Sequence, residues 1–342
     1  MKKIVKNLFF IWALVLFMAQ SVMAANVYEF TLSIDTVMDH PRNQGLLIFI
    51  KNLEEKSKGQ LKVKFYHSAQ LYKDADILKA ITLGTVDMAL PGIWFLDKLD
   101  PNAALPLLPM FYGQNEEVIQ KLVDGKFGQM VNESMSKKIN VIIPGRWQDL
   151  GHAALFTTNK KITKLEDLKG LRIRHMGSKI SSEKLRAMGA SPVPLPWPDM
   201  AMALMRGTCD GLITSPKALH SAKLIEAGIT YELADKNIFS HYIPMCSKKF
   251  WDRLPLDLQK LFSEAWNEHI PQERVLARKM QLEGELAVEE LLKKKGGGIY
   301  RPSDKELAQW RQHMMYIQEP LVKELGMDPE LVKIAMEMLG MK

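Results

Sequence analysis

From residue 26 onward the chain alternates short apolar runs of β type with stretches whose apolar residues recur at helical spacing. The stretch 28–34 reads as a strand, and 45–58 follows as a helix with Leu46, Phe49, Ile50 and Leu53 on one face. Gly59 closes that helix and 61–66 is the next strand. The rhythm continues with a helix over 74–84, a buried strand over 86–90 turning at Pro91-Gly92, a helix over 118–131 and a strand over 141–144. After Gly151 the period restarts. Extended segments over 156–159, 171–174 and 211–214 alternate with a short turn over 164–168 and helices over 181–188, 199–206 and 216–227. A strand over 242–247 leads to a helical tract over 256–295, inside which Pro271 predicts a kink or a break. Ser303 and Glu306 have capping-box spacing and start a helix that ends near 317. Repeated βα alternation predicts an α/β fold with largely parallel sheets. A chain of roughly 300 residues exceeds what one core usually supports, so two lobes are expected.

The first 25 residues do not share this pattern. Lys2, Lys3 and Lys6 precede an apolar stretch over 8–18, and Val22-Met23-Ala24 offers a small-x-small cleavage site. These features predict a signal peptide over 1–25, cut near Ala24, and export to the periplasm. Its loss takes three lysines from a net charge of +7 and leaves about +4 (7 − 3), too little and too dispersed for a nucleic-acid partner. The one basic run, Lys293 to Lys295, precedes Gly296 and suits a helix C-terminus. No later segment is apolar for about 18 residues, so no further membrane span is predicted. Cys209 and Cys246 are too few for a disulfide framework; buried thiols and a single bridge both fit the sequence.

Catalytic signatures are missing from the sequence. It holds no GxSxG, no GxGxxG after a strand, no Walker-type loop and no HExxH. His40 beside Asp39 is the nearest approach to a metal pair, and a solvated turn ahead of Pro41 accounts for it better. No enzyme, metal site or cofactor is predicted, which moves weight toward binding.

Several blocks, in order, are more specific. They are Phe65-Tyr66-His67-Ser68-Ala69-Gln70-Leu71, Gly84-Thr85-Val86-Asp87-Met88, Leu165 to Arg174 (LEDLKGLRIR), Ala187 to Pro194 (AMGASPVP), Asp210-Gly211 and Trp251-Asp252-Arg253-Leu254-Pro255. With them the chain resembles the DctP family, the extracytoplasmic solute receptors of TRAP (tripartite ATP-independent periplasmic) transporters. The resemblance implies the two-lobed periplasmic binding protein fold, with a hinge cleft for the solute and long C-terminal helices. Carried over by motif, one lobe is 26–151 plus 241–280 and the other 152–240 plus 281–342. It also implies capture of a small organic acid and delivery to integral membrane TRAP subunits. A sensory receptor docking on a signalling protein, or a periplasmic enzyme using the same cleft, are the alternatives.

By the same resemblance Arg174, in the GLRIR-type strand, holds the solute carboxylate. The guanidinium suits that task on physical grounds, because its parallel N–H donors match a carboxylate bidentately and it stays charged in a dry cleft. An ordinary salt bridge within the lobe is the competing reading, and Arg172 points to the other side of the strand as a surface charge. Trp197 matches an aromatic over the solute, and Thr214 or Ser215 a polar contact. Asp35 matches a pocket position that would favour a solute with hydroxyls or an ammonium. Gly92 and Trp94 follow a strand ending at the cleft. Many relatives carry a second arginine in a Gly-x-Arg-x-x-Thr-Asn stretch, where this chain has Gly151 to Asn159 (GHAALFTTN) without one. That departure argues against a C4-dicarboxylate and for a monocarboxylate such as a sugar acid or hydroxy acid, with Trp147 and Gln148 shaping that side of the pocket.

Overall fold

The computed structural model describes residues 26–341, so the expected signal peptide lies outside the described residues. In chain order the elements are β1 (Tyr28–Ser33), α1 (Pro41–Lys56), β2 (Leu61–Tyr66), α2 (Asp74–Leu83), β3 (Met88–Ala89), α3 (Glu116–Asp124), α4 (Lys126–Ile139) and β4 (Val141–Ile142). Next come β5 (Gln148–Thr157), β6 (Arg172–His175), α5 (Lys179–Ala187), β7 (Ser191–Pro194), α6 (Met200–Met205), β8 (Gly211–Thr214), α7 (Pro216–Ser221), β9 (Tyr231–Tyr242) and β10 (Met245–Ser247). The remainder is helical apart from β11 (Gly298–Tyr300): α8 (Lys248–Trp251), α9 (Leu256–Lys294), α10 (Asp304–Met314), α11 (Gln318–Leu325) and α12 (Pro329–Met338).

Two sheets organise these elements, in strand orders β2-β1-β3-β10-β4 and β11-β9-β5-β8-β6-β7. The βα units supply parallel pairs, β1 with β2 and β3, and β6 with β7 and β8. Both sheets are nevertheless mixed, because β10 runs antiparallel to β3 and β4, and β5 antiparallel to β8 and β9. The long strands β5 and β9 pair from Gln148 with Tyr242 to Thr157 with Tyr231. A bridge between Gly92 and Tyr242 ties their near end to the first sheet.

The sequence reading passed over most of β9. That strand, YELADKNIFSHY, buries Glu232, Asp235, Asn237, Ser240 and His241 beside its apolar residues. With polar groups buried among apolar ones, the usual period-2 signal is lost. Of the expected kink or break at Pro271 the break does not occur, since helix α9 runs through it for 39 residues. Proline leaves the carbonyl four residues earlier without its helical donor. That carbonyl is Asn267 O, and Arg146 Nη2 donates to it at 2.7 Å. Gly284 lets the same helix lie against α7, since a Cβ there would stand 2.6 Å from Lys217 Cα. At the other end of α9, Phe262 and Trp266 pack on Phe49 of α1. The capping box at Ser303 and Glu306 forms as expected. Cys209 and Cys246 are free and buried, and no described helix is long and apolar enough to cross a membrane.

Candidate functional site

Between the sheets lies a small cavity of about 40 Å³. Six of the residues singled out from the sequence line it: Arg174, Trp197, Thr214, Ser215, Asp35 and Trp94. They arrive from the C-terminal ends of β1, β6 and β8 and from the turns after β3 and β7, the usual place for ligands in open α/β sheets.

Arg174 is 1% exposed. Its Nε donates to Leu195 O at 3.0 Å and its guanidinium lies 5.5 Å from the centre of the Trp197 ring. Nη1 is buried without a hydrogen-bond partner, and no carboxylate of the described residues lies within ion-pair distance. Burial lowers Arg174 to about 10, only partly opposed by the Asp35 charge. It remains a cation at neutral pH, held in place by its Nε and with its outer nitrogens free. The competing reading, a salt bridge within the lobe, applies instead to Arg172, which is exposed and pairs with Asp210 at 2.6 Å.

A second arginine, unmarked in the sequence reading, accounts for Asp35. Arg42, fully buried near the start of α1, pairs with Asp35 at 2.5 Å and Asp74 at 3.1 Å and donates to Leu90 O. Burial works against the charge of Arg42, but Asp74, Tyr242 and Asp35 more than reverse this and leave it raised. Burial also pushes Asp74 up to about 7; Arg42 opposes the shift and the neighbouring Asp35 adds to it. With Asp74 ionised, Arg42, Arg174, Asp35 and Asp74 sum to zero. With it protonated they sum to +1.

Hydroxyls surround these charges. Thr214, Ser240 and Tyr242 all line the cavity, and none of their hydroxyls is hydrogen-bonded within the described residues. Ser215 is committed to the scaffold: its Oγ caps α7 through Ala218 N and accepts from Gln281 Nε2. Ser240 and Tyr242, two apart on β9, share one face of the strand. That spacing was the available signal for them, hidden because the expected strand began only at Tyr242.

The other expected site residues do not line the cavity. Gly92 precedes the Ile93–Phe95 turn, where a Cβ would stand 2.2 Å from the Trp94 ring. Its role is to let that ring fold back toward Tyr242, 5.3 Å away between centroids. Trp147 is fully buried and donates from Nε1 to Asn132 Oδ1. Gln148 donates to Arg42 O and so braces the second arginine. Leu150 is the cavity-lining residue of this strand. His40, by contrast, does line the cavity, as a buried N-cap and not part of a solvated turn, with Nδ1 accepting from Arg42 N. Burial and the nearby Arg42 and Lys217 charges keep it well below its ordinary value, hence neutral. Ion pairs Lys73–Asp199 and Lys217–Asp39 bridge the two sides of the cleft.

The family model for bacterial extracellular solute-binding proteins, family 7 (DctP), matches residues 34–324. The chain belongs to the DctP family. It is 25% identical over 292 residues, 84% of each chain, to the C4-dicarboxylate-binding periplasmic protein DctP of Rhodobacter capsulatus. Over 59% of this chain and 62% of the relative it is 27% identical to the sialic acid-binding periplasmic protein SiaP of Vibrio cholerae. A TRAP periplasmic solute-binding protein of Sulfurospirillum deleyianum, solved with bound succinate, superposes with a TM-score of 0.83 at 25% identity, covering 91% of this chain and 98% of the other. The two-lobed α/β architecture of DctP-family receptors is therefore the fold of this chain.

Proposed function

We propose that the chain is a periplasmic receptor that captures a small monocarboxylic acid and delivers it to the integral membrane subunits of a TRAP transporter. The observation that carries this reading is Arg174, a buried guanidinium with Nη1 unpartnered and no ion pair among the described residues. A buried charge is costly unless paired, and a carboxylate between the lobes completes it with two parallel hydrogen bonds. Closure of the lobes on their hinge then buries the acid. Thr214, Ser240 and Tyr242 suit a hydroxyl or keto oxygen next to the carboxylate, and Asp35 can accept from a hydroxyl.

The charge count favours one carboxylate over two. Arg42 is already matched by Asp35 and Asp74, so among the described residues lining the small cavity Arg174 is the cation left to meet an anion. In the stretch where relatives carry a second arginine, burial lowers His152 to about 3, so it adds no cation.

The same count predicts pH dependence. A bound anion favours the neutral form of Asp74, so its value rises above about 7 on binding. Affinity is then highest below pH 7 and falls as pH rises through the interval between the free and bound values, by at most about tenfold per pH unit for one linked proton. Calorimetric titration at pH 6 and 8, in two buffers of different ionisation enthalpy, should show proton uptake on binding and tighter binding of a monoacid than of the diacid of equal length. Diacid preference at both pH values would reject the monocarboxylate assignment.

A further inference from the structure

The cavity around Arg174 is too small for a whole solute. About 40 Å³ is room for only about three waters at 10–15 Å³ each. Beside it lies a groove of about 640 Å³, and the two share Trp94, Phe95 and Met176 as a common wall. Leu195 joins them further, since its carbonyl holds Arg174 Nε while its side chain lines the groove. Leu78 and Leu83 of α2 also line the groove. Its lining is mainly carbon, with Lys79, Asp97 and Lys98 as the charged members. Polar groups thus cluster at the carboxylate end, and the groove that adjoins it is mainly apolar and large enough for the rest of a solute.

We propose that this groove is the subsite for the tail of the captured acid, and that the solute is a 2-hydroxy or 2-keto monocarboxylate with an apolar, branched or aromatic tail. The inference rests on carboxylate capture by Arg174. A sugar acid would place its hydroxyl chain against Leu78, Phe95 and Met176, where few partners exist, so the polyol acids become the poorer ligands. Met176, flexible and polarisable, suits contact with an aromatic or branched tail.

Calorimetric dissociation constants for lactate, 2-hydroxy-3-methylbutanoate, 3-phenyllactate and gluconate test the assignment. Each methylene buried in the groove should tighten binding about fourfold, and 3-phenyllactate should bind at least about tenfold more tightly than lactate. Leu78→Asp and Leu83→Asp should each narrow the ratio between 3-phenyllactate and lactate to less than about threefold. Leu83 is 63% exposed, so its variant keeps the test valid if Leu78→Asp misfolds. Equal affinities along the series, or gluconate tighter than 3-phenyllactate, would overturn the tail subsite while leaving carboxylate capture intact. No binding by any of the four, or equal binding by Arg174→Met, would remove the capture reading and the subsite with it.

Discussion

Arg174→Met should raise the melting temperature of the ligand-free protein and abolish its response to organic acids. The two effects have one cause. In the structure the guanidinium is fully buried, holds one backbone carbonyl through Nε and leaves Nη1 without a partner among the described residues. Its desolvation is therefore only partly compensated, which the downward shift to about 10 reflects. Exchange of buried charges for apolar side chains of similar volume stabilises proteins by about 1–4 kcal/mol in comparable cases. With ligand the sign reverses, because truncating one member of a buried charge pair costs about 2–5 kcal/mol of affinity, at least about 30-fold. Thermal melts of both proteins with and without acid read the two effects together. A residue serving the fold would lower the melting temperature when replaced, and that result would remove Arg174 from the site.

Arg42→Met should do the opposite to stability. This arginine neutralises Asp35 and Asp74, holds Leu90 O and lies 4.2 Å from the centre of the Tyr242 ring. Its removal leaves two carboxylates facing each other in a dry site, an effect of about 3–5 kcal/mol in other buried pairs. Urea unfolding should report that loss. Adding Asp35→Asn and Asp74→Asn to Arg42→Met should restore much of it, since the three side chains act as one network and their effects are not additive. A single variant as stable as the parent, or a triple variant no better than the single, would show that Arg42 is not the counter-ion of the pair.

The contrast between these arginines marks what the sequence could convey. Arg174 was legible because it stands in a short strand inside a run of motif residues whose order along the chain is distinctive. Arg42 was not, because its meaning depends on Asp35, seven residues earlier, and Asp74, thirty-two residues later, which meet only when α1 and α2 pack beside β1. Trp147 and Gln148 were assigned to the pocket by their place in the chain, yet Trp147 turns to Asn132 and Gln148 to the Arg42 carbonyl. At Pro271 local chemistry alone allows a break that the fold avoids, because Arg146, remote in sequence, serves the carbonyl the proline leaves free. Local patterns thus carried most of the element positions, and the ordered motif blocks pointed to six residues that line the cavity. The second charge cluster and the apolar groove arise from long-range packing.

The most direct test of capture through a single carboxylate compares an acid with its own amide. In a melting-temperature screen of the mature protein, a bound acid at about 100 times its dissociation constant should add about 2.7 kcal/mol of stability, while the corresponding primary amide, equal in shape but uncharged, should add almost nothing. An amide that stabilises as well as its acid would contradict the account, because Arg174 would then not be reading charge.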